Sequence, residues 1–214
     1  MGSVKTHLPS KEEQHHWQKK LKNLVEFVYI DAPHKLSLIH QSSCINEEST
    51  GHFNTRYAWL IGAKNVWDSF GPDQYKDQTE GFEISLEHVV NVFSQQGPFD
   101  GILGFSQGAA MAALLCAHTQ QDKSLLSFRF AILCSGFHVG DGEAARCSIT
   151  CPSLHIFGGL VGKDRQIAVQ ASRELASLFG KEDSVVIEHD RGHILPTRSP
   201  YIDHIRNFLR RFLQ

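Results

Sequence analysis

Residues 97–115 read GPFDGILGFSQGAAMAALL, and this stretch decides the fold. Its first part, FDGILGF (99–105), is a short apolar run of the kind that makes a strand buried on both faces of a parallel sheet. From residue 107 to 118 the chain is rich in Ala and Leu and reads as a helix with small residues against that sheet. Between the two lies Gly104-Phe105-Ser106-Gln107-Gly108, a match to G-x-S-x-G. The pattern suits a strand that turns sharply into a helix and holds a serine at the tip, its hydroxyl outward. Gly104 and Gly108 are expected because side chains beside such a turn would collide. The five residues alone say little, since ordinary Gly and Ser usage produces them by chance in roughly one chain in ten of this length. The strand before and the helix after supply the context that gives them meaning.

Working outward, four more apolar runs read as buried parallel strands: 25–30 (VEFVYI), 128–134, 153–157 and 185–188. Helical periodicity appears over 83–95, 166–179 and 201–213. Lys19, Lys20 and Lys22 read as the solvated face of an N-terminal helix. Strands alternating with helices imply an α/β chain with a mostly parallel sheet and helices on both faces, a three-layer sandwich. All 214 residues fit one domain. The stretch from 31 to about 82 is too long for a simple crossover and shows no clear strand. It holds Phe53, Tyr57, Trp59, Trp67 and Phe70. Residues 38–82 are either a lid or binding loop, or an insertion packing a satellite core.

A serine nucleophile needs a base, and the base needs an orienting carboxylate. In chains with this motif the order is Ser, acid, His, each partner on a loop after a strand. His193 lies in His189-Asp190-Arg191-Gly192-His193, between the last strand and the last helix. It is preferred over His189, which reads as the strand's end, and Gly192 is expected to let the backbone bend. The loop after strand 153–157 reads Gly158-Gly159-Leu160-Val161-Gly162-Lys163-Asp164, and Asp164 is its one carboxylate. An aspartate there also suits a helix N-cap, and one residue can do both. The backbone N–H of Gln107, at the helix start, is the candidate oxyanion donor. Trp59, Trp67, Phe105, Phe137, Ile194 and Leu195 are candidate walls of an apolar substrate pocket, though such residues more often form core.

These stretches, together with FVYIDAPHKL (27–36), FAILCSGF (130–137) and the block 155–196, resemble the FSH-type serine hydrolases, the family of the ovarian-cancer-associated esterase homologues. The resemblance implies an α/β-hydrolase fold, carboxylic-ester hydrolysis, no metal or organic cofactor, and Ser106, Asp164 and His193 as nucleophile, acid and base. The chain departs from the family twice. Its acid loop is longer than the usual Gly-x-x-Asp. The buried N-terminal strand with its His-Gly loop, source of a second oxyanion N–H, has no counterpart, because residues 1–16 are polar. That strand ordinarily lies beside the nucleophile strand, so the fold is expected without its N-terminal strand.

Composition narrows the rest. Hydrophobic residues make up 41% and charged residues 21%. The net charge of −2 provides no footprint for nucleic acid. No stretch reaches the roughly 20 apolar residues of a membrane helix, and no export signal is apparent. MGSVKT fits a loose N-myristoylation pattern, with Gly2 and Thr6 in place, but lacks a polybasic second signal, so stable membrane insertion is not expected. Five cysteines (Cys44, Cys116, Cys134, Cys147, Cys151) without a C-x-x-C suit reduced thiols and a cytoplasmic setting. The 13 histidines, His15-His16 included, lack metal-ligand spacing. The expected function is an esterase with a small-molecule ester substrate. The alternatives are a thioesterase or lipid-acyl hydrolase with the same triad, and a catalytically impaired copy that acts as a binding protein. Sequence alone sets no oligomeric state.

Overall fold

The computed structural model of the protein describes residues 9–36, 56–61, 80–140, 148–161 and 164–213. The chain opens with α1 (Lys11–Leu21) and two short strands, β1 (His34–Leu36) and β2 (Arg56–Ala58), paired antiparallel. Then come α2 (Phe82–Gln96), β3 (Gly101–Phe105), α3 (Gln107–Gln121), β4 (Phe130–Cys134), β5 (Ser153–Gly158), α4 (Val169–Ser177), β6 (Ser184–His189) and α5 (Tyr201–Arg210). The main sheet is parallel throughout, in the order β3-β4-β5-β6.

Alternation along β4 builds the three layers. Phe130, Ile132 and Cys134 pack with Leu154 and Ile156 against Trp17 and Leu21 of α1 and Ile205, Phe208 and Leu209 of α5. Ala131 and Leu133 point the other way, against Ala109, Ala112 and Cys116 of α3 and Leu175 of α4. The small residues of α3 let that helix lie close on the sheet, as its sequence implied. All of β4 and β5 is buried, which is why neither run alternates with polar residues. Cys116 hydrogen-bonds Cys151, which holds the Cys116 thiol well above its usual range. Cys44 and Cys147 lie outside the described residues.

The elements agree with the sequence reading within a few residues, with two exceptions. Residues 25–30 (VEFVYI) belong to no sheet, and Val28 and Tyr29 are exposed. A parallel strand of that composition needs a hydrogen-bonded neighbour, and no described strand lies between it and β3 to serve as one. The second correction concerns 31–82, which does contain strands, β1 and β2. They are only three residues each, too short to leave a periodic signal. Trp67, Phe53, Phe70 and the rest of the 38–82 stretch apart from 56–61 and 80–82 lie outside the described residues, as do Gly2 and Thr6. No helix among the described residues is long and apolar enough to cross a membrane.

α1 comes from a local signal, the Ser-x-x-Glu of a capping box. The Ser10 hydroxyl accepts the Glu13 N–H at 3.2 Å, and Glu13 Oε2 accepts the Ser10 N–H at 2.8 Å. The helix then buries Trp17 and Leu21, one turn apart, in the core.

Candidate active site

Ser106 stands between β3 and α3 with φ +56° and ψ −122°, a conformation few non-glycine residues adopt. Holding it costs of order 1–3 kcal/mol, so the surroundings must enforce it. They do so through hydrogen bonds. The Ser106 N–H donates to the Cys134 carbonyl at 2.8 Å, and its own carbonyl accepts from Ala109 and Ala110 in the first turn of α3. Gly104 is required as expected, because a Cβ there would run into the Gly108 carbonyl. Gly108 is not: a Cβ on it would sit 3.5 Å from the Trp59 indole nitrogen, an ordinary contact. What the turn needs at residue 108 is its carbonyl position, which any residue supplies.

Asp164 and His193 arrive on neighbouring loops, after β5 and after β6. The two strand ends come close because Gly158 has no side chain; a Cβ there would stand 2.5 Å from the Arg191 carbonyl. Asp164 Oδ2 lies 2.7 Å from His193 Nδ1, and both side chains are almost fully buried. The other oxygen, Oδ1, accepts the N–H groups of Gln166 and Ile167 at 2.8 and 2.9 Å. Asp164 therefore combines two tasks, although the backbone it caps is a turn ahead of α4, whose N-cap is Ala168. Burial works to raise its pKa. The hydrogen bond and charge of His193 and the two backbone amides outweigh that and hold it below the ordinary carboxylate value. An ionised carboxylate only accepts, so His193 Nδ1 is the donor and Nε2 carries the free lone pair.

The imidazole of His193 packs against the Phe105 ring, centroids 4.6 Å apart, which sets it beside the residue preceding Ser106. The bend at Gly192 is a tight turn in which its carbonyl accepts the Ile194 N–H at 2.9 Å, and it uses no positive φ. His189 closes β6 as expected. It is buried against Tyr201, its Nδ1 accepts the Arg191 N–H, and burial pushes its pKa down.

Sequence reasoning missed what braces the histidine loop. Glu13 Oε1 accepts the Leu195 N–H at 3.0 Å, Trp17 Nε1 donates to the Pro196 carbonyl, and Lys20 Nζ donates to the Thr197 carbonyl. α1 thus clamps residues 195–197, just beyond His193. The capping box at 10–13 was readable, but a contact 182 residues away was not.

Gln107 begins α3, with its backbone N–H directly after the serine. Its side chain does separate work: Oε1 accepts the Trp59 N–H at 2.8 Å and Nε2 donates to the Leu60 carbonyl at 2.9 Å. This pins residues 59–60 over the start of α3. Trp59, Phe105 and Leu195 line one groove of about 570 Å³. Phe137 instead lies in the core with Leu60, Leu86 and Met111, and Ile194 is half-buried outside the groove lining. Among the described residues no cluster of His, Cys, Asp and Glu could hold a metal ion.

Residues 3–205 match the family model described as serine hydrolase (FSH1). The chain is 38% identical to zebrafish esterase OVCA2 over 205 residues, covering 91% of this chain and 87% of that one. It is 32% identical to human esterase OVCA2 over 210 residues, with 92% and 87% coverage. Rhodanese-like domain-containing protein 6 of Arabidopsis thaliana is 48% identical over 207 residues; the match takes in 91% of this chain but spans only 35% of the length of that relative. Among solved structures, Arabidopsis thaliana SOBER1 aligns with a TM-score of 0.58 at 14% identity, over 97% of this chain and 95% of that one. Zea mays acyl-protein thioesterase 2 aligns with a TM-score of 0.54 at 23% identity, over 75% and 74%. At such identities the structural likeness concerns the fold.

Proposed function

The chain belongs to the serine hydrolase (FSH1) family, and on that premise we propose that it hydrolyses carboxylic esters through Ser106, His193 and Asp164. One observation carries the reading: a buried 2.7 Å carboxylate–imidazole pair, packed through Phe105 against a serine held at positive φ on a helix N-terminus. Structural packing has no need of that combination.

The proposed steps are those of a Ser-His-Asp triad. His193 Nε2 takes the Ser106 hydroxyl proton as Oγ attacks the ester carbonyl carbon. Asp164 holds the Nδ1–H tautomer and stabilises the imidazolium that forms. The Gln107 N–H and the positive end of α3 stabilise the oxyanion. Collapse breaks the bond to the alcohol, which leaves with the proton from Nε2. Water, deprotonated by the same nitrogen, then attacks the acyl-enzyme and releases the acid and the free serine.

The test is labelling of the purified chain with a fluorescent fluorophosphonate, beside Ser106→Ala and with folding checked by circular dichroism. Labelling is expected to vanish in the variant. A well-folded chain that takes no label would discard the esterase reading in favour of a binding protein. Parallel assays with p-nitrophenyl esters and an acyl thioester separate ester from thioester hydrolysis.

A further inference from the structure

Two cysteines meet in the layer between the sheet and α3. Cys116 is buried in the second half of α3, and Cys151, partly buried, packs beside it two residues before β5 begins. Neighbouring hydrogen bonds hold the segment before β5 against the helix. Gln120, one turn further along α3, donates from Nε2 to the Ser148 carbonyl at 3.1 Å and accepts the Thr150 N–H on Oε1 at 2.8 Å. The Cys151 Sγ–H donates to the Pro152 carbonyl at 3.6 Å, and the Cys116 Sγ–H donates to Cys151 Sγ. That sulfur–sulfur hydrogen bond outweighs partial burial and draws the Cys151 pKa below the ordinary thiol value. The same bond, together with burial, holds Cys116 well above it. Cys134 on β4 is the contrast, a thiol that burial alone pushes far up.

We propose that Cys116 and Cys151 form a redox modification site, closed to a disulfide by a hydroperoxide and reopened by a dithiol. Sulfurs already joined by a hydrogen bond have little distance to cover to the roughly 2.05 Å of a disulfide. Cys151 is the attacking group, because solvent reaches it and its partner's hydrogen bond favours the thiolate. The Cys151 thiolate attacks one peroxide oxygen and the O–O bond breaks. The departing alkoxide or hydroxide takes up a proton, and Cys151, now a sulfenic acid, has given up two electrons. The Cys116 sulfur then attacks the Cys151 sulfur. The S–S bond forms, and the hydroxyl leaves as water with the proton of Cys116. A resolving thiol in contact intercepts the sulfenic acid ahead of irreversible oxidation. The bond joins α3, which begins beside Ser106, to β5, which leads to the Asp164 loop.

The site is independent of the proposed hydrolysis, and so is its test. The full chain is reduced, freed of reductant and treated with hydrogen peroxide in native buffer, with folding followed by circular dichroism. Remaining thiols are capped with N-ethylmaleimide after denaturation, and tryptic peptides are read by mass spectrometry. Trypsin places Cys116 on peptide 77–123, Cys134 on 130–146, and Cys147 together with Cys151 on 147–163. The expected product joins 77–123 to 147–163, with two thiols lost to capping and Cys134 still capped. The cross-link is expected to persist in Cys147→Ser, to disappear in Cys151→Ser and to revert with dithiothreitol. The proposal is overturned if Cys116 stays capped in the folded, peroxide-treated chain, if Cys151→Ser keeps the cross-link, if Cys147→Ser abolishes it, or if the cross-link forms only after the chain has unfolded.

Discussion

Residues 130–134 (FAILC) and 25–30 (VEFVYI) read alike, as short apolar runs with β-branched or aromatic side chains, and they end differently. The first is β4, hydrogen-bonded on both edges and buried along its whole length. The second lies outside any sheet with Val28 and Tyr29 in solvent. The difference teaches that burial of a parallel strand is a property of its neighbours. Apolar side chains favour the sheet, but a backbone without a ladder partner cannot go inside with them. The same contrast divides the candidate site. Asp164 follows β5, paired on both edges, whereas Ser106 follows β3 and His193 follows β6, the two edge strands of the described sheet.

The contrast can be broken by core truncation, which has the largest expected effect. Leu154→Ala, fully buried near the start of β5, should cost about 3–5 kcal/mol of unfolding free energy, read from urea midpoints. Phe27→Ala, half-buried on the unpaired side, should cost about 1 kcal/mol. Equal losses would mean that 25–30 is held as firmly as the sheet.

A pH effect sharpens the same point from inside β5. Burial pushes the pKa of His155 down to about 4, with Ser153 Oγ 3.0 Å from its Nε2 and the Phe179 ring against it. The unfolded chain takes up a proton near 6.5, so stability is full above that value and is lost as pH falls toward 4. Between pH 7 and 5 the loss should be about 2 kcal/mol, and His155→Gln should flatten that slope. An unchanged slope in the variant would show that His155 titrates normally.

α1 joins the two regions, since it precedes residues 25–30 and clamps the histidine loop. Glu13→Ala removes the partner of the Ser10 N–H and the acceptor for the Leu195 N–H, and should cost about 1.5 kcal/mol and slow labelling of Ser106. Glu13→Gln keeps one acceptor oxygen and turns the other into a donor, so it should restore only part of the loss. The smallest effect is expected at Val28, where truncation to Ala should stay within about 0.5 kcal/mol. A larger cost would mean that this side chain is covered in solution.

The layered parallel fold was legible because buried strands and amphipathic helices write periodicity into short windows, and the serine because G-x-S-x-G sits between one of each. The loops that carry the proposed acid Asp164 and base His193 were legible from strand order. The bracing of His193 by Glu13 was not, because a carboxylate accepting a distant backbone N–H leaves no local pattern. Nor were β1 and β2, three residues each.

By itself the sequence determined the class of fold, the position of the strained serine and the loops that carry Asp164 and His193, since each follows from local geometry and chain order. Only the tertiary structure decided that Asp164 Oδ1 caps the turn at 166–167 rather than α4 itself, that Gln107 pins residues 59–60, and that 25–30 stays outside the sheet. Those outcomes depend on which backbone groups meet across long separations, and hydrogen bonds between distant segments are a matter of register and neighbours that composition does not encode.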